Sequence, residues 1–160
     1  MAKVPVRFTL NGSEKEEFIE SGATLLRALR DKIGDTSPKG GCHQGACGTC
    51  SVIIDGELRL SCLTLAETCD GADIRTAGGL AESGVLHPLQ RAFAEAFATQ
   101  CGFCTPGMII AAKALLDGNP NPTRADVVEA ISGNICRCTG YEPIIQAVLI
   151  AARATSLSAA

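Results

Sequence analysis

Hydrophobic and polar positions change rhythm along the chain, and the change divides it in two. From Val4 to Leu10 they alternate, the period of a strand with one buried face. Asn11-Gly12, a strong hairpin turn signal, ends that run, and Glu16-Glu17-Phe18-Ile19 is predicted to return as the second strand. Thr24 is placed to cap a helix running to Ile33, with Leu25, Leu26, Leu29 and Ile33 on one face. A second hairpin follows: Val52-Ile53-Ile54, the turn Asp55-Gly56, then Leu58-Arg59-Leu60. Strands with one packed helix predict a small β-grasp domain.

After a turn-rich stretch, Thr76 to Gly84, the period becomes helical. Leu86, Leu89, Phe93, Ala96 and Phe97 fall on one helical face. Thr105 as cap, with Pro106 in the first turn, predicts a helix to about Leu116, apolar all round and therefore buried. Thr123 with Asp126 resembles a capping box for a third helix ending at Gly133. Pro143 would start a fourth, carrying Ile144, Ile145, Val148 and Leu149; the tail Ala154–Ala160 is predicted to be loose. The expected class is α+β, a β-grasp domain over residues 1–78 and a four-helix domain over 79–160. At roughly 75 residues each, such domains have small cores that a metal site would staple.

Bulk composition excludes more than it identifies. A net charge of -3 over 160 residues, without a basic run, gives no basis for nucleic-acid binding. The longest apolar stretches, near Met108–Ala112 and Ala147–Ala152, are far shorter than the ~20 residues that span a bilayer. Residues Met1 to Thr9 do not read as a secretory signal, so a cytoplasmic protein away from membranes is expected. Nine cysteines then stand out: an odd number in a reducing compartment argues for metal rather than disulfides.

Spacing refines this. Cys42, Cys47, Cys50 and Cys62 have four, two and eleven residues between them, and the first three match the plant-type 2Fe–2S pattern C-x4-C-x2-C. With Asp55-Gly56 as a two-residue turn, Cys50 faces Ser61, which brings Cys62 within reach of the same site. Glycines at 40, 41, 45 and 48 let backbone approach a cluster closely. Structural zinc prefers two separated C-x2–4-C pairs, which three cysteines in nine positions fit poorly. Cys101, Cys104, Cys136 and Cys138 form C-x2-C and C-x-C pairs. The latter shares a side only in extended backbone, since residues two apart in a helix point nearly opposite ways. Cys104 precedes a predicted helix whose positive end favours a thiolate site. By spacing alone this second quartet is a metal site for either an iron–sulfur cluster or zinc.

Three segments together carry a resemblance: Gly41-Cys42-His43-Gln44-Gly45-Ala46-Cys47-Gly48-Thr49-Cys50, Gln100-Cys101-Gly102-Phe103-Cys104-Thr105-Pro106-Gly107 and Gly133-Asn134-Ile135-Cys136-Arg137-Cys138-Thr139-Gly140-Tyr141. Over nearly the whole chain this resembles the small iron–sulfur subunits of the xanthine oxidase family of molybdenum hydroxylases. The resemblance implies a plant-type ferredoxin-like N-terminal domain and a C-terminal four-helix bundle, each holding one 2Fe–2S cluster. It implies a large partner subunit with a molybdopterin cofactor contacted by Gln100, Cys138 being the ligand nearest the pterin. The N-terminal cluster would face the next acceptor, commonly FAD in a medium subunit. The assembly would be a hetero-oligomer, a dimer of heterotrimers being one arrangement.

His43 departs from that pattern, where an acidic residue is more common; an imidazole beside Cys42 predicts a raised cluster potential. Thr49 and Ser51 are smaller departures. His87, before Pro88, reads as structural, and Cys69 as an ordinary thiol outside both quartets. Neither a catalytic triad pattern nor a phosphate loop is present, so substrate chemistry is assigned to the partner. Two rival readings are a scaffold with two structural zinc sites and a free-standing ferredoxin with an acidic surface.

Overall fold

The computed structural model describes the backbone of residues 2–158 and the side chains of residues 2–155. Both predicted hairpins form. Strands β1 (Lys3–Leu10) and β2 (Ser13–Glu20) pair antiparallel with Leu10 opposite Ser13, and β3 (Ser51–Ile54) and β4 (Glu57–Leu60) with Ile54 opposite Glu57. Each turn uses two residues at positive φ, Asn11 and Gly12 in the first and Asp55 and Gly56 in the second. That backbone matches the twist of the flanking strands. On β1 the inward residues Val6, Phe8 and Leu10 are buried, as the alternation requires.

A fifth strand, β5 (Asp73–Arg75), was not anticipated. It lies mid-sheet in the order β2-β1-β5-β3-β4, parallel to β1 and antiparallel to β3. Three residues carry no usable period. What selects them is the pairing of Ile74 with Leu10 on one side and Ile54 on the other. Thr24 caps α1 (Leu25–Arg27) as predicted, its hydroxyl accepting from Arg27 N–H, but the helix widens into a π-helical segment over Ala28–Ile33. Leu25, Ala28 and Leu29 close the core of this half against Val6, Phe8, Ile19 and Ile74.

The segment after β5 is pinned rather than loose. Asn11 Oδ1 accepts from Thr76 N–H, Thr76 Oγ1 donates to Asp35, and Ser37 Oγ accepts from Gly78 N–H. Helices α2 (Pro88–Glu95), α3 (Thr105–Gly118), α4 (Arg124–Ile131) and α5 (Glu142–Ser158) follow and share one core built on Leu89, Phe93, Met108, Ile110, Val127, Ile144 and Val148. The chain is thus α+β, with five α-helices among the described residues. His87 opens α2 as a capping box with Gln90, and Thr123 opens α4 as one with Asp126. Cys104, not Thr105, occupies the cap position of α3, and α4 ends at Ile131, before Gly133. Ala154 and Thr155 continue α5 instead of fraying, while residues 159–160 of the predicted loose tail lie outside the described residues.

The face expected of α2 is shorter than the sequence implies. Leu86 precedes the helix and is half exposed, and the helix ends at Glu95 in a Schellman turn. There Phe97 N–H reaches Ala94 O and Ala98 N–H reaches Phe93 O. Phe97 occupies the left-handed position of that turn, φ 52°, where glycine is usual, and Ala98 takes the buried place beyond it. A bulky residue in that conformation carries about 1–3 kcal/mol of strain.

The two halves meet at backbone. A Cβ on Gly107, in the first turn of α3, would stand 2.4 Å from Gly48 O and 3.0 Å from Thr49 Cα. Asn134 Nδ2 donates to Gly48 O at 2.9 Å, and Ile135 N–H to Cys47 O at 2.9 Å. Ile53 of β3 extends into the helical core. Alanine favours a helix over glycine by about 1 kcal/mol. Overpacking against backbone that cannot yield costs about 1–3 kcal/mol or more, so the collision outweighs the propensity. Gly107→Ala is therefore expected to lower the melting temperature by several degrees, read by calorimetry; an unchanged or raised value would refute the rigid joint.

Candidate metal centres

Each cysteine quartet is assembled from two local pieces. In the first, a loop supplies Cys42 and Cys47, while the hairpin β3–β4 brings in Cys50 and Cys62. Ser61 N–H and Oγ–H both donate to Cys50 O, so Cys50 and Ser61 face each other as the turn count requires, with Cys62 next in line. Cys42 interacts with Cys47, and Cys50 with Cys62 and Cys47. In the second quartet Cys104 caps α3, and Cys136 and Cys138 lie in the loop after α4. Cys138 Sγ stands 3.6 Å from Cys101 Sγ, and Cys104 interacts with Cys136 and Cys101. The predicted eight thiols are thus brought together as two separate groups of four.

Within each group the thiols meet as pairs, Cys42 with Cys47, Cys50 with Cys62, Cys101 with Cys138 and Cys104 with Cys136; no three His, Cys, Asp or Glu side chains among the described residues are grouped for a single metal ion. Paired thiols are what a binuclear cluster takes, two on each iron. All nine cysteines are free. Cys69 lies apart, buried in the core beneath the sheet, its thiol directed to Leu65 O at 3.6 Å and its ionisation disfavoured by burial.

The loops are shaped for sulfur. Ala46 N–H points at Cys42 Sγ at 3.2 Å and Gln44 N–H at 3.5 Å, with Gly45 at positive φ between them. A Cβ on Gly41 would stand 2.9 Å from Cys47 Sγ. These backbone donors, chiefly Gln44 N–H, with the Cys47 thiol pull the Cys42 thiol down to about 7. Burial pushes Cys50 up to about 11 and Cys104 up to about 12, reinforced by neighbouring thiols. Buried thiols stay protonated at neutral pH, and holding all four as thiolates would take cations among them to offset their mutual repulsion.

Two hydroxyls next to ligands went unassigned in the sequence. Thr139 Oγ1 lies 3.1 Å from Cys136 Sγ and accepts from Tyr141 N–H, which leaves its proton for the sulfur whenever that sulfur is a thiolate. Thr49 Oγ1 lies 3.2 Å from Cys47 Sγ but also donates to Lys39 O. Tyr141, at φ 69°, uses its phenol oxygen to accept from Cys136 N–H. The only available signal was the hydroxyl residues one to three positions from a ligand. Of the remaining predicted residues, Gln100 is exposed beside Cys101, and Cys101 and Cys138 form the exposed edge of the second quartet. His43 adopts φ 55°, its ring lying over Gly40.

The chain is similar to known iron–sulfur proteins. A 2Fe-2S iron-sulfur cluster binding domain matches residues 8–81, and a [2Fe-2S] binding domain matches residues 76–149. The nicotinate dehydrogenase small FeS subunit of Eubacterium barkeri is 48% identical over 148 residues, 92% of this chain and 94% of that protein. The xanthine dehydrogenase iron-sulfur-binding subunit of Escherichia coli O157:H7 is 41% identical, covering 91% of this chain and 92% of that one. The crystal structure of quinoline 2-oxidoreductase from Pseudomonas putida 86 superimposes with a TM-score of 0.94 at 43% identity, covering 98% of each chain.

Thiol reactivity follows the thiolate fraction and access. In iron-free protein near neutral pH, Cys42 is expected to alkylate orders of magnitude faster than Cys104, resolved by peptide mass spectrometry. Equal rates would contradict the hydrogen bonding assigned to the Cys42 loop.

Proposed function

The chain belongs to the xanthine oxidase family of molybdenum hydroxylases, as one of its small iron–sulfur subunits, and on that premise we propose which residues hold its clusters and which partners they face. It is the electron-transfer subunit of an oxidoreductase complex and performs no substrate chemistry itself. We assign one 2Fe–2S cluster to Cys42, Cys47, Cys50 and Cys62 and the other to Cys101, Cys104, Cys136 and Cys138. The observation that carries this is the arrangement of each quartet as thiol pairs within hydrogen-bonding loops. When bound, each cluster takes up and releases single electrons.

The chain's own residues set the conditions for that transfer. Ala46 and Gln44 N–H groups stabilise negative charge on Cys42, and the Thr139 hydroxyl does so on Cys136. Ile135 N–H, bonded to Cys47 O, ties a residue adjoining one quartet to a ligand of the other and fixes their separation. The exposed edge of Cys101 and Cys138, with Gln100 beside it, suits contact with a molybdopterin cofactor in a large partner subunit. Ile135 is 52% exposed next to the second quartet. An apolar side chain there favours a seated partner over a diffusing ferredoxin. The first quartet is assigned to face the next acceptor, FAD in a medium subunit, in a hetero-oligomer.

We read residues 1–78 as a ferredoxin-like β-grasp domain and residues 79–160 as a four-helix bundle domain, a division supported by the overlap of the two matched regions at residues 76–81. No helix among the described residues is long and apolar enough to cross a membrane. Nine free thiols suit a cytoplasmic location.

Iron, zinc and acid-labile sulfide should be measured on anaerobically purified protein. About four iron and four sulfide per chain, in a coloured, dithionite-reducible form, are expected; Cys47→Ser should reduce iron to about two by removing one cluster. About two zinc and no colour would overturn the assignment in favour of structural sites. Thr139→Val should lower the midpoint potential of the second cluster, and Thr139→Ser should leave it near the native value. Redox titration followed by electron paramagnetic resonance reads both, and a potential unmoved in the valine variant would remove the hydroxyl from the assignment.

A further inference from the structure

Among the described residues, three bulky ones hold positive φ: His43, Phe97 and Tyr141. Contacts within the chain account for two of them. The His43 ring lies over Gly40, and the Tyr141 hydroxyl holds Cys136 N–H. Phe97 differs. It takes the position in the Schellman turn after α2 where glycine is favoured, and it is 83% exposed, the most open of the large hydrophobic residues among those described. The molecule therefore holds a strained backbone at a residue whose apolar ring is largely open to solvent.

Its position points to a use. Phe97 stands four residues before Cys101, so the two Cα atoms are at most about 15 Å apart. A standard interface buries about 800 Å² per partner, a disc of about 16 Å radius. Phe97 thus lies within the radius of a standard interface centred on the exposed Cys101–Cys138 edge. Aromatic side chains with few rotatable bonds are the usual anchors of such interfaces.

We propose that Phe97 is an anchor residue for the large molybdopterin-bearing subunit, its ring filling an apolar pocket of that partner beside the Cys101–Cys138 edge. This rests on the assignment of that edge to the large subunit. The turn fixes the backbone at Phe97, and with it the direction in which the side chain leaves the surface, before docking. A purely structural role predicts the opposite energetics, because glycine at this position relieves strain and leaves the fold intact.

The test compares complexes carrying the native chain with complexes carrying Phe97→Gly or Phe97→Asn, the residue types that best tolerate the left-handed position. Iron per chain is measured alongside subunit stoichiometry on dilution, by native mass spectrometry. Both variants are expected to retain full iron and to dissociate from the large subunit at concentrations about tenfold higher or more, the effect of losing an interface anchor. Phe97→Trp should stay bound. Variants that load iron and hold the large subunit as tightly as the native chain would overturn the proposal. A native chain with full iron that carries no large subunit would instead refute the partner assignment on which it rests. Should the glycine variant lose iron, the asparagine variant decides.

Discussion

At Gly107 the chain brings two backbones closer than any side chain would allow. The first turn of α3 lies against Gly48 and Thr49, and Asn134 and Ile135 reach across to the carbonyls of Gly48 and Cys47. Every one of these residues is a ligand's neighbour or lies within three positions of one. The joint between the halves and the walls of both thiol sites are therefore the same atoms. Moving α3 outward by the width of one methyl group would displace Cys104 at its cap and part the helix from Gly48, Thr49 and Asn134. Function here requires two redox sites at a fixed short distance, and a backbone-to-backbone joint is stiffer than one of interdigitated side chains.

That constraint explains where the remaining stability must come from. Neither half has a large core, and the elements nearest the sites are loops: residues 40–50, 99–104 and 132–141 contain almost no regular structure apart from the ends of helices. Loops keep a geometry only if their polar backbone groups are occupied. Here they bond sulfur, threonine and tyrosine hydroxyls, and one another. The pinned segment at Thr76 and Gly78 serves the same end at larger scale, because it holds the start of the helical half against Asn11, Asp35 and Ser37 of the first. A flexible linker would let two small domains rock, and the separation of the thiol sites with them.

Much of this was legible from local signals. Asn11-Gly12 and Asp55-Gly56 between alternating residues specify their hairpins completely, and the second hairpin was enough to bring Cys62 round to Cys50. Thr24 and the pair Thr123–Asp126 cap helices because a side-chain oxygen satisfies a free N–H, which is local chemistry. What was not legible depends on partners distant in sequence. Ile74 becomes a central strand through Leu10 and Ile54, more than sixty and about twenty residues away by number. Gly48, Gly107 and Asn134 lie in three separate segments, and nothing in any one of them announces a meeting. The Phe97 turn misled for a different reason: apolar residues at helical spacing read as one buried face, but the backbone reversed after Glu95 and turned the last of them outward.

The second quartet shows how sequence and structure divide the work of choosing a metal. Its spacing, C-x2-C and C-x-C, suits a tetrahedral zinc as well as a binuclear cluster. The folded chain leaves the four thiols unequally exposed. Cys101 and Cys138 form an exposed edge, while Cys104 sits half-buried at a helix cap and Cys136 is buried, its sulfur beside the Thr139 hydroxyl. A site that passes electrons needs one side open to its donor and the other side close to its acceptor, with hydrogen-bond donors at the sulfurs to set where the electron rests. The inner side of this quartet adjoins Ile135, whose N–H is bonded to Cys47 of the first, so the thiols are open on the side away from the first quartet's loop and tied to it on the other.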